Sequence, residues 1–240
     1  MNSLLDHPVW HALTGPHHRF ATGSAQALRY VDSCAPLAAL RPGDDDGRAL
    51  APLFAPGQTV MLMNVAAGSE RWRDWQLLRE ARVRQYVWDG SPWPMAEDDT
   101  PGAPRIVRLG HAAAAQATAL AERVAPGGPF RAGHLALGSY WGVFSGDELV
   151  AMAGERLCPS GWREIASVAT APAHRGLGHA AALVRRLVGD ALAAGDLPFL
   201  HVAPNNPAQK LYRRLGFVLR RELPIFAMQR GAALAGLPSA

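Results

Sequence analysis

The chain has 240 residues, of which 49% are hydrophobic and 18% charged, so it can bury a substantial core in one large domain or two small ones. No stretch is apolar over a length that would cross a bilayer, and the amino-terminal segment lacks the basic and apolar parts of a signal peptide, so we expect a cytoplasmic protein with no membrane partner. The formal charge of +4 is too small to indicate nucleic-acid binding, and we expect none.

Cysteine and histidine spacing does not predict a metal site. Cys34 and Cys158 lie far apart without a CxxC pattern, so both are expected to be packing residues. Four histidines lie near the amino terminus: His7, His11, His17 and His18. Pro8 interrupts the helical register of the first two, and no carboxylate takes the place of a zincin glutamate. We therefore expect partly exposed, hydrogen-bonding histidines and no bound metal.

The first part of the chain has few regular patterns. Residues 34–53 contain prolines, glycines and three consecutive aspartates, which predict a solvated loop. Residues 59–66 and 83–88 are apolar runs typical of buried strands. The segment 89–104 contains four prolines and three consecutive acids and can continue neither a helix nor a central strand. This predicts a domain boundary, with an α/β region of unassigned role at 1–100 and a second domain at 101–240.

The second domain has the element order β-α-β-β-β-α-β-α-β-β, which is typical of an α/β (α+β) fold. A strand at 105–109 and a helix at 111–124 are followed by a meander of three strands that ends at Thr170. A helix, a buried strand at 199–203, a short helix at 207–215 and strands at 217–219 and 225–229 complete it.

The segment from Val168 to Val188 passes from a strand through a glycine turn into a helix. Gly176 and Gly178 let the backbone approach a ligand closely, and the apolar residues after them recur at the spacing of a buried helix face. Amides in a first helical turn lack intrahelical acceptors and carry the positive end of the helix dipole. The turn is therefore predicted to bind an anion.

Three interpretations of this turn stay open: a dinucleotide site, a turn without a ligand, and a third that depends on residues farther along the chain. Gly176-x-Gly178-x-x-Ala181 satisfies the dinucleotide fingerprint, but a meander precedes it and no acid ends the next strand, so a nicotinamide-dependent oxidoreductase is the weakest of them. No Lys-Ser or Lys-Thr follows, which excludes a P-loop. A turn without a ligand is always an alternative for two glycines.

The third interpretation rests on two motifs. Arg175-x-x-Gly178-x-Ala180 resembles the Gln/Arg-x-x-Gly-x-Gly/Ala signature of GNAT acyltransferases. Downstream, Asn205-Asn206-Pro207-Ala208 with Tyr212-x-x-x-Gly216-Phe217 resembles the Asn-x-x-Ala and Tyr-x-x-x-Gly-Phe segment of that superfamily. The resemblance covers about residues 105–230. It implies a GNAT fold, with a mixed, mostly antiparallel sheet flanked by helices, and residues 1–100 resemble the amino-terminal, degenerate GNAT-like halves of some bacterial two-part members.

The resemblance also implies a site for acetyl-CoA, the co-substrate. The pyrophosphate would lie on the amides of Gly176, Leu177, Gly178, His179, Ala180 and Ala181, with Arg175 shaping the turn or adding charge. The pantetheine arm would pair with the backbone of Val168, Ala169 and Thr170, as an added strand does, and Asn206 would lie near it.

Two residues are predicted to be catalytic. Tyr212 faces inward on its helix and lies where this superfamily keeps its general acid. Strand alternation puts Glu164, Ala166, Val168 and Thr170 on one face, so Glu164 is the candidate general base, as in histone-type members, and Glu155 is the alternative.

The implied activity is N-acetyl transfer from acetyl-CoA to an amine by direct attack in a ternary complex. The acceptor stays open between a small molecule and a protein lysine, and a homodimer is plausible by analogy. A noncatalytic acyl-CoA sensor is the main alternative.

Overall fold

The structure, a computed structural model, describes residues 3–66, 70–90, 104–124 and 130–231. The elements of the amino-terminal region are α1 (Pro8–Leu13), β1 (Ala21–Gly23), β2 (Ala27–Tyr30), β3 (Leu37–Leu40), β4 (Thr59–Met63) and β5 (Trp75–Trp88). Those of the remaining chain are β6 (Ile106–Arg108), α2 (Ala114–Val124), β7 (Tyr140–Ser145), β8 (Glu148–Glu155), β9 (Trp162–Thr170), α3 (His179–Ala193), β10 (Leu197–Val202), α4 (Gln209–Arg214) and β11 (Phe217–Arg230). Short 3-10 helices occur in several of the connections.

All described strands form one 11-stranded sheet in the order β1-β2-β3-β4-β11-β5-β10-β9-β8-β7-β6. Within the described residues, the neighbours β3–β4 and β9–β10 are parallel and the other pairs antiparallel. The predicted class, a mixed and mostly antiparallel sheet flanked by helices, is confirmed.

The amino-terminal region and the rest of the chain share this sheet. β5 lies between β11 and β10, both of which come from the carboxy-terminal part. It pairs with β11 along nearly its whole length of 14 residues and with β10 over Arg84 to Val87. The predicted division at residue 100 stays a prediction, since most of the proposed boundary segment lies outside the described residues.

The terminal strands differ from the prediction of two short pieces, because β11 runs unbroken through Pro224. Ile225 is the first β11 residue that pairs with β4, and the Pro224 carbonyl accepts the N–H of Asn64 at 2.9 Å. In an antiparallel pair the N–H and C=O of one residue point to the same side of the strand. An N–H at position 224 would therefore point toward the end of β4, as the Pro224 carbonyl does, and not toward β5. The proline therefore costs no hydrogen bond to β5.

Three further expectations for the amino-terminal region were wrong. Residues 34–53 contain β3, whose four residues are all buried; the run LAAL is too short to show periodicity. Pro8 begins α1, where its missing N–H costs nothing, and does not interrupt it. The expectation of partly exposed histidines fails for His17 alone, which is buried with Nδ1 at 2.7 Å from the Tyr30 hydroxyl and Nε2 at 2.9 Å from the Leu137 carbonyl. His7 and His11 are half-buried and His18 is exposed, as expected.

Helices α2, α3 and α4 contribute to the largest core cluster. α3 buries Leu183, Val184, Leu187, Val188 and Ala191, as its apolar spacing predicted. On the other face of the sheet, α1 packs with β2, β3 and Phe199 in a second cluster, which also holds Cys34 as a packing residue. Among the described residues no helix is long and apolar enough to span a membrane.

Candidate functional site

The sheet opens between β9 and β10. These strands are paired only from Trp162 to Glu164 and from Leu197 to Phe199. Beyond that point the edge of β9 from Ile165 to Thr170 has no partner on the β10 side among the described residues, although it stays paired with β8. A cavity of about 420 Å³ fills the opening.

The cavity reaches both faces of the sheet. α4 lies on the face of β5 that carries Tyr86, whose hydroxyl donates to Gln209 Oε1 at 2.9 Å, and it contributes Leu211 and Tyr212 to the lining. Val83, which also lines the cavity, is an odd-numbered β5 residue and therefore projects from the other face. A ligand on the helix side and a second molecule on the opposite side can thus meet inside one cavity.

The glycine turn lies at one mouth of this cavity. Gly176 and Gly178 both have φ of +80°, and α3 begins directly after them. The backbone N–H groups from Gly176 to Ala181 have no backbone acceptor among the described residues. A Cβ added at either glycine would meet nothing within 4 Å, so the space in front of the turn is open. The arrangement is a nest of unpaired donors at a helix amino terminus, which favours anions.

The side chains around the turn are arranged as follows. Arg175 lines the cavity and donates from Nε to the Thr170 carbonyl at 3.3 Å, which ties the turn to the end of β9. Ala180 also lines it, whereas Leu177 is 61% exposed. Burial, followed by the neighbouring His174, lowers the pKa of His179, so this residue adds no charge at neutral pH.

β9 does not keep the predicted alternation. Ser167 has φ of +54°, and the pairing with β8 shifts by one residue around it, which is a β-bulge. As a result Ala166, Ser167 and Val168 line the cavity consecutively, while Glu164 lies behind the lining. Thr170 reaches the cavity as well, and Ala169 is buried against β8. Of the four residues expected on one face, Ala166, Val168 and Thr170 line the cavity together, and the expectation was wrong for Glu164.

Asn206 lies in the loop between β10 and α4 and accepts a hydrogen bond within it. Its Oδ1 accepts the N–H of Ala208 at 2.9 Å, and the residue lines the cavity. α4 begins at Gln209, two residues after the predicted start, and the Gln209 amide donates to the carbonyls of Ala203 and Pro204. Sequence reasoning missed Gln209, which carries no motif of its own.

Tyr212 lines the cavity from α4. It is 7% exposed, and burial raises its pKa to about 12, so the phenol stays protonated at physiological pH. Its ring lies edge-on to Phe217 at 6.2 Å, and its hydroxyl has no hydrogen-bond partner among the described residues. Tyr212 can therefore donate a proton or a hydrogen bond to a molecule in the cavity.

Glu164 is fully buried in an ion pair. Arg156 donates from Nε to Oε2 at 3.0 Å and from Nη2 to Oε1 at 2.6 Å, and His201 Nδ1 lies 2.7 Å from Oε1. Burial alone would raise the pKa of Glu164, but Arg156 and His201 outweigh it and lower the pKa to about 2. The carboxylate is thus ionised with both oxygens engaged. Its role as a general base stays a prediction, which this geometry does not favour.

Gln85 fixes the tautomer of His201. Gln85 Oε1 accepts from Arg220, which can only donate, so the Gln85 amide nitrogen faces Leu5 O at 2.8 Å and His201 Nε2 at 3.0 Å. His201 Nε2 must then accept, and Nδ1–H donates to Glu164. The partners in this network are separated in sequence by 8, 37 and 116 residues, so no local pattern could reveal Arg156, His201 or Gln85 as site residues.

Glu155, the alternative base, is remote from the cavity. It is 1% exposed, accepts the N–H of Ser139 at 2.7 Å, and pairs with Arg163. It does not belong to the cavity lining.

In the described parts of the chain, no group of three or more His, Cys, Asp or Glu residues is placed to hold a metal ion.

Comparison with known proteins gives one family. Residues 111–217 match the model of the acetyltransferase (GNAT) family. A structure assigned to the GNAT family from Novosphingobium aromaticivorans DSM 12444 is 33% identical, with a TM-score of 0.83, over 95% of this chain and 99% of that chain. No curated protein matches the chain.

Two further structures share the fold at lower identity. A GCN5-related N-acetyltransferase from Kribbella flavida is 17% identical, with a TM-score of 0.60, over 93% of this chain and 95% of that chain. A GCN5-related N-acetyltransferase-like protein from Streptococcus suis 89/1591 is 18% identical, with a TM-score of 0.58, over 92% of each chain. With the family model, the match to the Novosphingobium protein along almost its whole length and the sheet that opens at β9 and β10, the chain belongs to the GNAT acetyltransferase family.

Proposed function

We propose that the protein is an N-acetyltransferase that transfers the acetyl group of acetyl-CoA to an amine by direct attack in a ternary complex. The observation that carries this proposal is the cavity between β9 and β10, which reaches both faces of the sheet and has unpaired amides at one mouth. It offers separate approaches for an anionic nucleotide and for an acceptor.

The residues at the helix side of the cavity fit coenzyme A. The N–H groups from Gly176 to Ala181 would bind the pyrophosphate, with Arg175 beside them. The edge of β9 at Val168 to Thr170 has no strand partner on the β10 side and would take the amides of the pantetheine arm as an added strand. Thr170 Oγ1 is buried without a partner among the described residues, and a polar ligand atom would satisfy it. Asn206 lies across the cavity from this edge in the lining.

The transfer step needs one proton donor from the protein. The neutral amine nitrogen attacks the thioester carbonyl carbon, a C–N bond forms, and the C–S bond breaks. Tyr212 gives its proton to the departing thiolate and regains one from solvent, while the amine nitrogen loses a proton to water. Neither cysteine lines the cavity, and burial raises the pKa of Cys158 to about 12, so a thiolate is not available for a covalent acyl intermediate.

We assign Glu164 a positioning role. It holds Arg156 and the Nδ1–H tautomer of His201 at the wall of the cavity. To act as the predicted base, it would have to release one oxygen from Arg156 and bind a proton despite a pKa of about 2. Water inside the cavity is then the proton acceptor for the amine.

One observation favours the alternative of an acyl-CoA-binding sensor. No Asp or Glu belongs to the described lining of the cavity, and His201 Nε2 is occupied by Gln85, so no free base is in place. Thiol release separates the two functions, because a sensor binds acetyl-CoA without cleaving it.

Two measurements test the proposal in order. Calorimetric titration with acetyl-CoA and with NAD(H) should give binding only for acetyl-CoA. Thiol release with a panel of amines should then exceed the rate without an amine at least tenfold for some acceptor. Binding without amine-dependent thiol release would support the sensor, and binding of NAD(H) alone would overturn both.

A further inference from the structure

The acceptor side of the cavity has an apolar wall built by β3, β4 and β5 of the amino-terminal region together with β11. Four neighbouring strands contribute Leu37, Met61, Met63, Ile225 and Val83. Leu37 is opposite Met61 in the parallel pair, and Met63 is opposite Ile225 in the antiparallel pair, so these side chains project from one face and adjoin each other. This wall fits an apolar group of an acceptor.

The charge on this side comes from one guanidinium. Of the described lining residues, only Arg156 and Arg175 carry a full charge, and Arg175 belongs to the nucleotide mouth beside Gly176. The carboxylate of Glu164 is fully buried behind Arg156. An acceptor with several positive charges would therefore lose hydration without meeting a carboxylate in the described lining.

One nitrogen of the Arg156 guanidinium, Nη1, is left over from its ion pair with Glu164. Its Nε and Nη2 atoms bind Glu164, whereas Nη1 has no partner among the described residues. The side chain is 21% exposed and lines the cavity. Glu164 holds the plane of the guanidinium, so the Nη1 edge is fixed in orientation. An oriented guanidinium edge binds a carboxylate with charge-assisted hydrogen bonds.

We propose that the acceptor is an apolar amino carboxylate, such as an α-amino acid with a hydrophobic side chain. This inference rests on the proposed function. The carboxylate binds Arg156 Nη1, the side chain packs on the wall of Leu37, Met61 and Met63, and the amine is left to face the thioester near Tyr212. The amino-terminal region thereby acquires a role as the acceptor wall.

The first test uses the wild-type protein alone. At saturating acetyl-CoA, thiol release is measured with leucine, methionine and phenylalanine, with their carboxamides, with aspartate, with spermidine and with a lysine-containing peptide. We expect kcat/KM for the three apolar acids to exceed that for the carboxamides, aspartate, spermidine and peptide at least tenfold. Equal values for acids and amides, or a preference for spermidine or the peptide, would overturn this inference while the proposed function stands.

The second test is the substitution Arg156→Lys, which keeps a positive charge beside Glu164 but removes the Nη1 edge. We expect KM for the apolar acids to rise at least tenfold, with KM for the carboxamides and Kd for acetyl-CoA changed less than twofold. Arg163→Lys is the matched control, because Arg163 also pairs with a buried glutamate, Glu155, through Nη1 but does not line the cavity. Equal effects of both variants on KM for the acids would contradict the assignment. If acetyl-CoA binds but no amine releases thiol, the proposed function fails, and this inference with it.

Discussion

Tyr212 is a buried tyrosine that also lines the cavity. Its ring is packed against Phe217, yet its hydroxyl has no partner among the described residues and faces a cavity. Because no protein group among the described residues takes this hydroxyl, it can bond to a ligand in the cavity that Tyr212 lines.

The change Tyr212→Phe tests that role. We expect kcat to fall by about 100-fold, because general acid catalysis contributes on that scale, while Kd for acetyl-CoA and the melting temperature stay nearly unchanged. Thiol release measures kcat, and calorimetry measures Kd and the melting temperature. Tyr86→Phe is the control: it removes the hydroxyl that donates to Gln209 and accepts from Arg213, both outside the cavity lining, and should cost about 1 kcal/mol of stability per bond with little effect on turnover. An unchanged kcat in Tyr212→Phe would remove Tyr212 from the acid role.

We expect substitution of Glu164 to reduce the stability of the fold. Glu164→Gln leaves Arg156 without its counter-charge, and breaking a buried pair costs about 3 kcal/mol of the free energy of unfolding. Urea denaturation measures this loss. Glu148→Gln, which breaks the exposed pair with Arg123, should cost less than about 1 kcal/mol. Similar losses of unfolding free energy in the two variants would show that Glu164 and Arg156 do not form a buried ion pair.

The pH dependence has a definite sign. The pKa of Glu164 is lowered from 4.5 to about 2, so its contribution to stability is fully present above about pH 4.5 and is lost as pH falls toward 2. Thermal unfolding followed from pH 6 to pH 3 should therefore show a steeper decline for the wild-type protein than for Glu164→Gln. Parallel declines would show that the folded pKa is not depressed.

At the scale of elements, the start of α3 is the proposed binding site for the cofactor's pyrophosphate. Gly178→Val places a branched side chain in the open space before the unpaired amides, at a φ of +80° that valine resists. We expect Kd for acetyl-CoA to rise at least 100-fold. Gly146→Val is a matched control, because Gly146 also has positive φ and open space but lies in the β7–β8 turn. Calorimetry should show a loss of affinity only for Gly178→Val, and an equal loss in the control would point to a general folding defect.

The elements around this turn were predictable because their signals are local. β9 has the predicted end at Thr170, and α3 follows the glycines with the predicted buried face. The bulge at Ser167 was not predictable, since a serine at positive φ has no sequence signature. Arg156, in the connection directly after β8, pairs with Glu164 of β9, and only the fold shows that the two side chains meet inside the protein.

At the scale of the whole molecule, the long-range order of the sheet lay beyond sequence reasoning. Val83 to Trp88 was predicted as a strand, but nothing in that segment indicates that it lies between β10 and β11. Pairing partners so distant in sequence are set by the whole core and not by local propensity. The role of residues 1–100 could not be predicted for the same reason.

This arrangement predicts the behaviour of a fragment of residues 101–240. Without residues 1–100, β10 loses β5 on one side, and β11 loses both of its neighbours, β4 and β5, so the edges of both strands are exposed. We expect the fragment to lack a cooperative thermal transition and to aggregate, and to regain acetyl-CoA binding when it is coexpressed with residues 1–100. A fragment that unfolds cooperatively and binds acetyl-CoA alone would instead establish residues 101–240 as an independent domain.

The central claim is that acetyl-CoA and an amine react within the cavity between β9 and β10. Its most direct test mixes the protein with acetyl-CoA and an apolar amino acid and measures free thiol and acetylated amine in the same sample, by colorimetry and mass spectrometry. We expect one acetylated amine for each thiol released, with both products lost in Gly178→Val and kept in Gly146→Val. Thiol release without acetylated amine, or equal product from both variants, would contradict it.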